Sequence, residues 1–267
     1  MSPVADPVIE HVAETGSTNS DLLARVHAAA TAGAASFAPC ALVATRQTAG
    51  RGRHGRRWHV EPGRSLACSV AWPLARADLS GLSLAIGTAL ADALDAPAKT
   101  ARIGLKWPND LWLVEDWSAA ARGRGRKLAG VLIETAPFAT GRVAVVGVGV
   151  NVAVQQVADA ASGVAGLDEI DAGATVASAL ARIVPALVAA LRRFDAEGFA
   201  SFADRYAARD LLRGLRVTGD AGPGVREGIA DGIAADGALL LRTASGVEAV
   251  ASGEWRLRIA EPAGSTC

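Results

Sequence analysis

The order of elements along the chain predicts an α+β protein. Strands and helices alternate through most of its length, and a final stretch holds strands alone. The apolar fraction of 51% against 20% charged residues supplies a packed core and excludes global disorder. After Leu212 the texture changes to short β-like runs separated by Gly- and Asp-rich turns, the spacing of a small all-β barrel. A length of 267 residues accommodates one large and one small domain. The boundary is placed between 1–212 and 213–267.

Residues 8–13 read as a strand. Ser17, Thr18, Asn19 and Asp21 offer helix caps before Leu22, Leu23 and Val26, and Gly33 supplies the stop. Residues 41–46 form a strand, 50–57 a Gly/Arg loop, and 65–72 a strand closed by Pro73. Apolar residues at helical spacing run from Leu79 to Leu94. Strands at 102–106 and 111–114 flank a Pro-Asn-Asp turn, followed by a polar loop at 115–126. Strands at 128–135 and 142–152 are joined at a Thr-Gly turn, the second almost continuously apolar and therefore buried. A long Ala-rich helix is expected at 173–194 and a shorter one at 197–209. The β runs fall at 215–219, 225–230, 238–242 and 247–250, before Glu254-Trp255-Arg256-Leu257-Arg258.

Basic and acidic residues number 27 each, which argues against a chain built to bind nucleic acid or an anionic membrane. Only Lys99, Lys106 and Lys127 are lysine among the basic residues. A GC-rich genome explains the arginine bias; where lysine is nevertheless kept, the question is whether a compact ammonium is called for instead of a guanidinium. Cys40, Cys68 and Cys267 lack metal-ligand spacing, as do the four histidines. The N-terminus has no signal-peptide pattern and no segment is apolar enough to span a bilayer, so a cytoplasmic location is expected.

Five short segments could carry chemistry. Gly50 to Trp58 (GRGRHGRRW) combines glycines that let backbone amides approach a ligand with forked cationic donors, the makings of a loop that closes on an anion. A solvated basic loop or a short RNA-binding tract fits the same residues. Lys106-Trp107-Pro108-Asn109-Asp110 sets a cation before a rigid turn and an Asp suited to Mg²⁺ or a hydroxyl, or it is simply a turn. Lys127 opens a buried strand in which Gly130 leaves room for a flat ligand. In Val146 to Val152, Gly147 and Gly149 share a face against which something packs closely, and Asn151 needs amide partners. Ser17-Thr18-Asn19 caps a helix, binds a polar ligand head, or both. No nucleophile triad stands out, so the chemistry expected is charge stabilisation.

In that order, Ser-Thr-Asn, Gln47 with GRGRHGRRW, KWPNDLW, KLAGVLIE, GVGVNV and GEWRLR closely resemble the motifs of the biotin protein ligases, over residues 14 to 259. The resemblance implies a mixed-sheet catalytic domain, related to class II aminoacyl-tRNA synthetases and lipoate ligases, followed by an SH3-like barrel. It implies synthesis of biotinoyl-5′-AMP from biotin and ATP with Mg²⁺, then transfer to one lysine of a biotin carboxyl carrier protein. Ser17, Thr18, Asn19, Gln47, Arg51, Gly52, Arg53, Lys127 and Gly130 match biotin or adenylate contacts. Arg51, Trp58, Lys106, Asn109, Asp110, Asn151, Glu254 and Arg258 match nucleotide positions, with Asp110 the metal ligand and Lys127, Arg53 and Lys106 the catalytic cations. Trp255 stands where family members commonly carry a smaller aliphatic residue. The motifs start too early for the DNA-binding domain of some members, so a ligase-only chain without DNA or membrane binding is expected, with a homodimer as an open option. Lipoate ligation and nucleic-acid regulation are the rival functions.

Overall fold

The computed structural model describes residues 4–95, 101–118, 121–155, 163–221, 224–251 and 255–260. The first region builds one seven-stranded mixed sheet. Its strands are β1 (Val8–Thr15), β2 (Cys40–Gln47), β3 (Ser65–Leu74), β4 (Ile103–Lys106), β5 (Asp110–Leu113), β6 (Arg126–Phe138) and β7 (Gly141–Asn151). They lie in the order β1-β2-β3-β7-β6-β5-β4, with β1 parallel to β2 and all other neighbours antiparallel. A second, five-stranded antiparallel sheet holds β8 (Arg216–Ala221), β9 (Gly224–Ile233), β10 (Leu239–Thr243), β11 (Gly246–Val250) and β12 (Trp255–Ile259) in the order β11-β10-β9-β8-β12.

Strand alternation sorts the side chains onto two faces. Cys68, Val70 and Trp72 of β3 and Val146, Val148 and Val150 of β7 face helices α2 (Leu82–Leu94) and α3 (Val176–Glu197) in the main core. Ala71, Val143 and Val145 face the other way, against Leu22 and Val26 of α1 (Thr18–Thr31). The main core continues into the small sheet through Val217, Ala230, Leu239, Leu241 and Val250. On the α1 face the sheet runs out beyond the helix N-terminus, and that uncovered end is where the motifs gather.

Four local expectations are corrected. Pro73 does not close β3, which runs to Leu74. The β2 pairing stops at Ala71, so the missing proline N–H breaks no ladder bond on that side. The long helix starts at Val176, where Thr175 and Ser178 form a reciprocal cap, and it carries Pro185 within it. The shorter helix is a 3₁₀ turn (Phe199–Phe202) leading into α4 (Ala203–Ala207), because Gly198 at φ 71° ends α3. The loop at 115–126 contains a 3₁₀ turn (Arg122–Arg124), and β6 begins at its last residue.

After α4 the chain runs along the edge of β4. The Leu105 amide donates to the Arg209 carbonyl (2.7 Å) and the Leu211 amide to the Leu105 carbonyl (3.0 Å). This segment pins the start of the small sheet beside Lys106. No helix among the described residues is long and apolar enough to cross a membrane.

Candidate functional site

The motifs line one cavity of about 580 Å³, inside the range of small-molecule sites. Its wall includes Ser17, Thr18, Asn19, Gln47, Arg51, Gly52, Arg53, Trp58, Lys106, Asn109, Asp110, Lys127, Gly130 and Asn151. Two halves differ in chemistry.

One half is a hydrogen-bonding nest of amides and hydroxyls at the α1 N-terminus, backed by an Arg51–Glu134 ion pair. Ser17 occupies the N-cap position but makes no side-chain capping bond, which corrects the capping expectation, and it lines the cavity. The Thr18 amide donates to Gln47 Oε1 (2.8 Å), and the Thr18 and Ser69 hydroxyls lie 2.7 Å apart. Ser69 Oγ donates to Asn19 Oδ1 (2.6 Å), and Asn19 Nδ2 donates to Glu134 Oε2 (2.9 Å). Arg51 Nη2 closes the set on Ser20 Oγ (3.0 Å) and Glu134 Oε1 (3.3 Å). The glycines of β7 are explained by what lies on them. A Cβ at Gly147 would sit 2.2 Å from Asn19 Oδ1, and one at Gly149 would sit 2.2 Å from the Trp58 ring.

The other half is cationic. Register places Lys106 opposite Asp110 and Asp110 opposite Gly130 on one face of the sheet. Between Leu111 and Trp112 the pairing with β6 slips from Ala129 to Lys127, leaving Leu128 as an extra residue. This bulge turns Lys127 out of the core face and onto the site face. Lys127 Nζ then lies 2.6 Å from Asp110 Oδ1, an ion pair laid across Gly130, where a Cβ would come within 3.3 Å of Nζ. Gly130 is therefore the floor under that pair. Lys106 Nζ sits 4.0 Å from the centroid of the Trp112 ring. Burial pushes the Lys106 ammonium down to about 8, with Asp110 opposing and Lys127 and Arg56 reinforcing that shift. Burial also lowers the Arg53 guanidinium from its ordinary value, against the pull of Asp110.

The Gly/Arg loop is folded as a hairpin-like excursion. Arg51 bridges Arg57, the Gly52 amide donates to the Arg56 carbonyl (2.7 Å) and the Trp58 amide to the Gly50 carbonyl (2.9 Å). His54 holds φ 55° within it. The buried indole N–H of Trp58 has no acceptor within the described protein, and it borders the cavity.

Asn151 satisfies its amide internally, donating to the Lys127 carbonyl (3.2 Å) and accepting from Gln155 Nε2 (3.3 Å). On β12 it is Leu257 that reaches the cavity, while Arg258 is exposed, since adjacent strand residues face opposite sides. Glu254 lies outside the described residues, as does Cys267. Sequence reasoning missed Ser69, Glu134 and Trp112. The first two share the α1 face with Ala71 and Val145, a parity that could have flagged them.

A "Biotin/lipoate A/B protein ligase family" model matches residues 38–151, and a "Biotin protein ligase C terminal domain" model matches 214–255. A biotin–[acetyl-CoA-carboxylase] ligase of Mycobacterium tuberculosis is 37% identical over 92% of this chain and 87% of its own length. This chain belongs to the biotin protein ligase family. The bifunctional ligase/repressor BirA of Salmonella typhimurium is 34% identical over 83% of this chain and 67% of its own. Among solved structures, the biotin protein ligase of Aquifex aeolicus in complex with biotin and ATP superposes with a TM-score of 0.74 at 27% identity, over 95% of this chain and 99% of that one. The family fold, a mixed-sheet α+β region followed by an antiparallel β region, is the fold expected from the motifs.

Proposed function

We propose that this chain joins biotin to a lysine of a biotin carboxyl carrier domain through biotinoyl-5′-AMP. The observation that carries the reading is the single cavity in which an amide-and-hydroxyl nest adjoins a cluster of Arg53, Lys106 and Lys127. Such a site suits a ligand with a polar, uncharged ring at one end and a carboxylate beside a nucleotide phosphate at the other. A carboxylate oxygen of biotin attacks the α-phosphorus of ATP, and pyrophosphate leaves. The cations meet the negative charge that gathers on the phosphate oxygens, so no side-chain nucleophile is needed. The deprotonated carrier lysine then attacks the acyl carbon, and AMP leaves.

Serving this reading, Ser17, Thr18, Asn19 and Gln47 hold the biotin ring, Arg51, Gly52, Arg53 and Lys127 its carboxylate end, and Trp58, Lys106, Asn109 and Asp110 the nucleotide. Among the described residues no cluster of three or more acidic, His or Cys side chains could hold a resident metal. Asp110, the carboxylate in the cationic half, would hold a Mg²⁺ arriving with the triphosphate, and that ion would screen phosphate charge. Residues 1–212 serve as the catalytic unit and 213–267 as the accessory β unit. The test is streptavidin detection of a carrier domain incubated with the protein, biotin and ATP. Labelling that vanishes when the acceptor lysine is changed to arginine supports the reading; a lipoyl mass increase on the carrier, read by mass spectrometry when lipoate replaces biotin, points to the rival acid.

Two variants probe the halves separately. Gly147→Ala pushes a methyl into Asn19, which Ser69 and Glu134 hold from behind. Its biotin affinity by calorimetry is expected to fall at least about tenfold, the cost of overpacking a fixed contact. Unchanged affinity would mean that Asn19 is not part of the biotin contact. In the cationic half, phosphate favours protonated Lys106. As pH rises through about 8 the free protein loses that proton, and kcat/KM for ATP is expected to fall, approaching tenfold per unit. Lys106→Arg keeps its charge and is expected to flatten the profile; a decline of the same midpoint in the arginine variant assigns it to another group.

A further inference from the structure

The Arg-rich segment before β6 and the indole of Trp112 are not accounted for by the site as described, and they meet at one place. Trp112 is 4% exposed on β5, and Lys106 Nζ stands over its ring at 4.0 Å from the centroid. The indole is also held by the turn before β6. A Cβ at Gly125 would come within 3.3 Å of Trp112 Cε3 and 2.8 Å of the Leu113 carbonyl, so that turn lies directly on the strand. Trp112 shares a small apolar cluster with Val114, Leu211 and Trp117. Gly123, in the same turn, sits where a Cβ would meet Ile259 at 3.2 Å and Leu215 at 3.4 Å, both belonging to the small β unit. The turn is therefore wedged between the ring that faces Lys106 and the second sheet.

We propose that Trp112 is a positioning residue for the nucleotide half of the site: its π face holds the Lys106 ammonium toward the cavity, and the Gly123–Gly125 turn locks the ring against the small β unit. This rests on the reading of Lys106 as a phosphate contact. The electrostatics favour it. An ammonium over an indole face is attracted by the ring quadrupole, most strongly where water is scarce. Lysine has a long stem with several rotatable bonds, so fixing its head removes freedom that phosphate binding would otherwise have to remove. Asp110 lies opposite Lys106 in the ladder but already pairs with Lys127 at 2.6 Å. The ring is a partner that holds the charge without neutralising it.

The experiment places tryptophan, monofluoro-, difluoro- and trifluorotryptophan at position 112 of the full chain. Fluorination weakens the negative face while barely changing the shape. Biotin-dependent ATP–pyrophosphate exchange is followed for each protein, and Lys106→Met serves as control. Log kcat/KM for ATP is expected to fall steadily with fluorine number, to roughly a fivefold loss, with the KM for biotin constant within twofold. In the Lys106→Met background the same series is expected to be flat. A flat series in the native background, or equal slopes with and without Lys106, overturns the proposal. Absence of exchange in the unmodified protein overturns instead the functional reading beneath it. As a shape control, Trp112→Phe is expected to keep ATP use within about threefold, whereas Trp112→Met, which lacks a π face, loses more; equal losses count against the proposal.

Discussion

Replacing Lys127 with alanine is expected to slow adenylate formation by about 10² to 10³-fold, the loss seen when one preorganised donor is removed from a site of developing charge. The residue owes its place to the bulge in β6, which aims it at the cavity floor 2.6 Å from Asp110. Truncation removes a cation and takes from Asp110 its direct ion-pair partner where phosphate must come. Both effects oppose ATP and biotin carboxylate meeting. Transfer from supplied biotinoyl-AMP is expected to suffer far less, because no new phosphate charge forms in that step. Lys127→Arg is expected to rescue only in part, since a planar guanidinium does not fit over Gly130 as an ammonium does. Single-turnover rates of the two half-reactions decide it: an equal loss in both would remove Lys127 from the adenylation step.

The second large effect lies away from the chemistry. Arg209 is 8% and Asp95 7% exposed, and Arg209 Nη1 donates to Asp95 Oδ2 (2.7 Å) and to the Ile103 carbonyl (3.0 Å). Asp95 Oδ2 also accepts from the Arg102 and Ile103 amides, and Arg209 Nε donates to Asp92 (3.1 Å). This network ties the end of α2, the start of β4 and the segment entering the small β unit. Arg209→Met leaves a buried carboxylate without its partner, which costs about 3–5 kcal/mol. The melting temperature is expected to drop by on the order of 10 °C. Adding Asp95→Asn is expected to recover much of the loss, because the uncompensated charge is then gone while an amide oxygen still accepts from the Arg102 and Ile103 amides. Thermal melts of single and double variants test this; a single variant that melts with the wild type contradicts it.

The catalytic region was legible because its strands carry their own periodicity and its motifs their own residue types. Gly147 and Gly149 announced a close neighbour on one face, and the structure supplies Asn19 and Trp58. The failures have a common cause. Whether Ser17 caps its helix and whether Pro73 ends a strand both depend on the surrounding strands, not on the local run of residues. Asn151 lines the cavity, and its amide also finds partners in Gln155 and a backbone carbonyl. The hydroxyl of Ser69 and the carboxylate of Glu134 were hidden inside apolar strands whose parity alone sets their direction.

Activation of a carboxylic acid by charge stabilisation in one cavity is the chemistry expected of this protein. Biotin-dependent exchange between labelled pyrophosphate and ATP, run with Mg²⁺ and no carrier protein, tests that most directly. Exchange that requires biotin, is not supported by lipoate and drops by about 10² or more in Lys127→Ala is the expected result. Robust exchange with lipoate alone, or biotin-dependent exchange that survives intact without Lys127, would contradict the account.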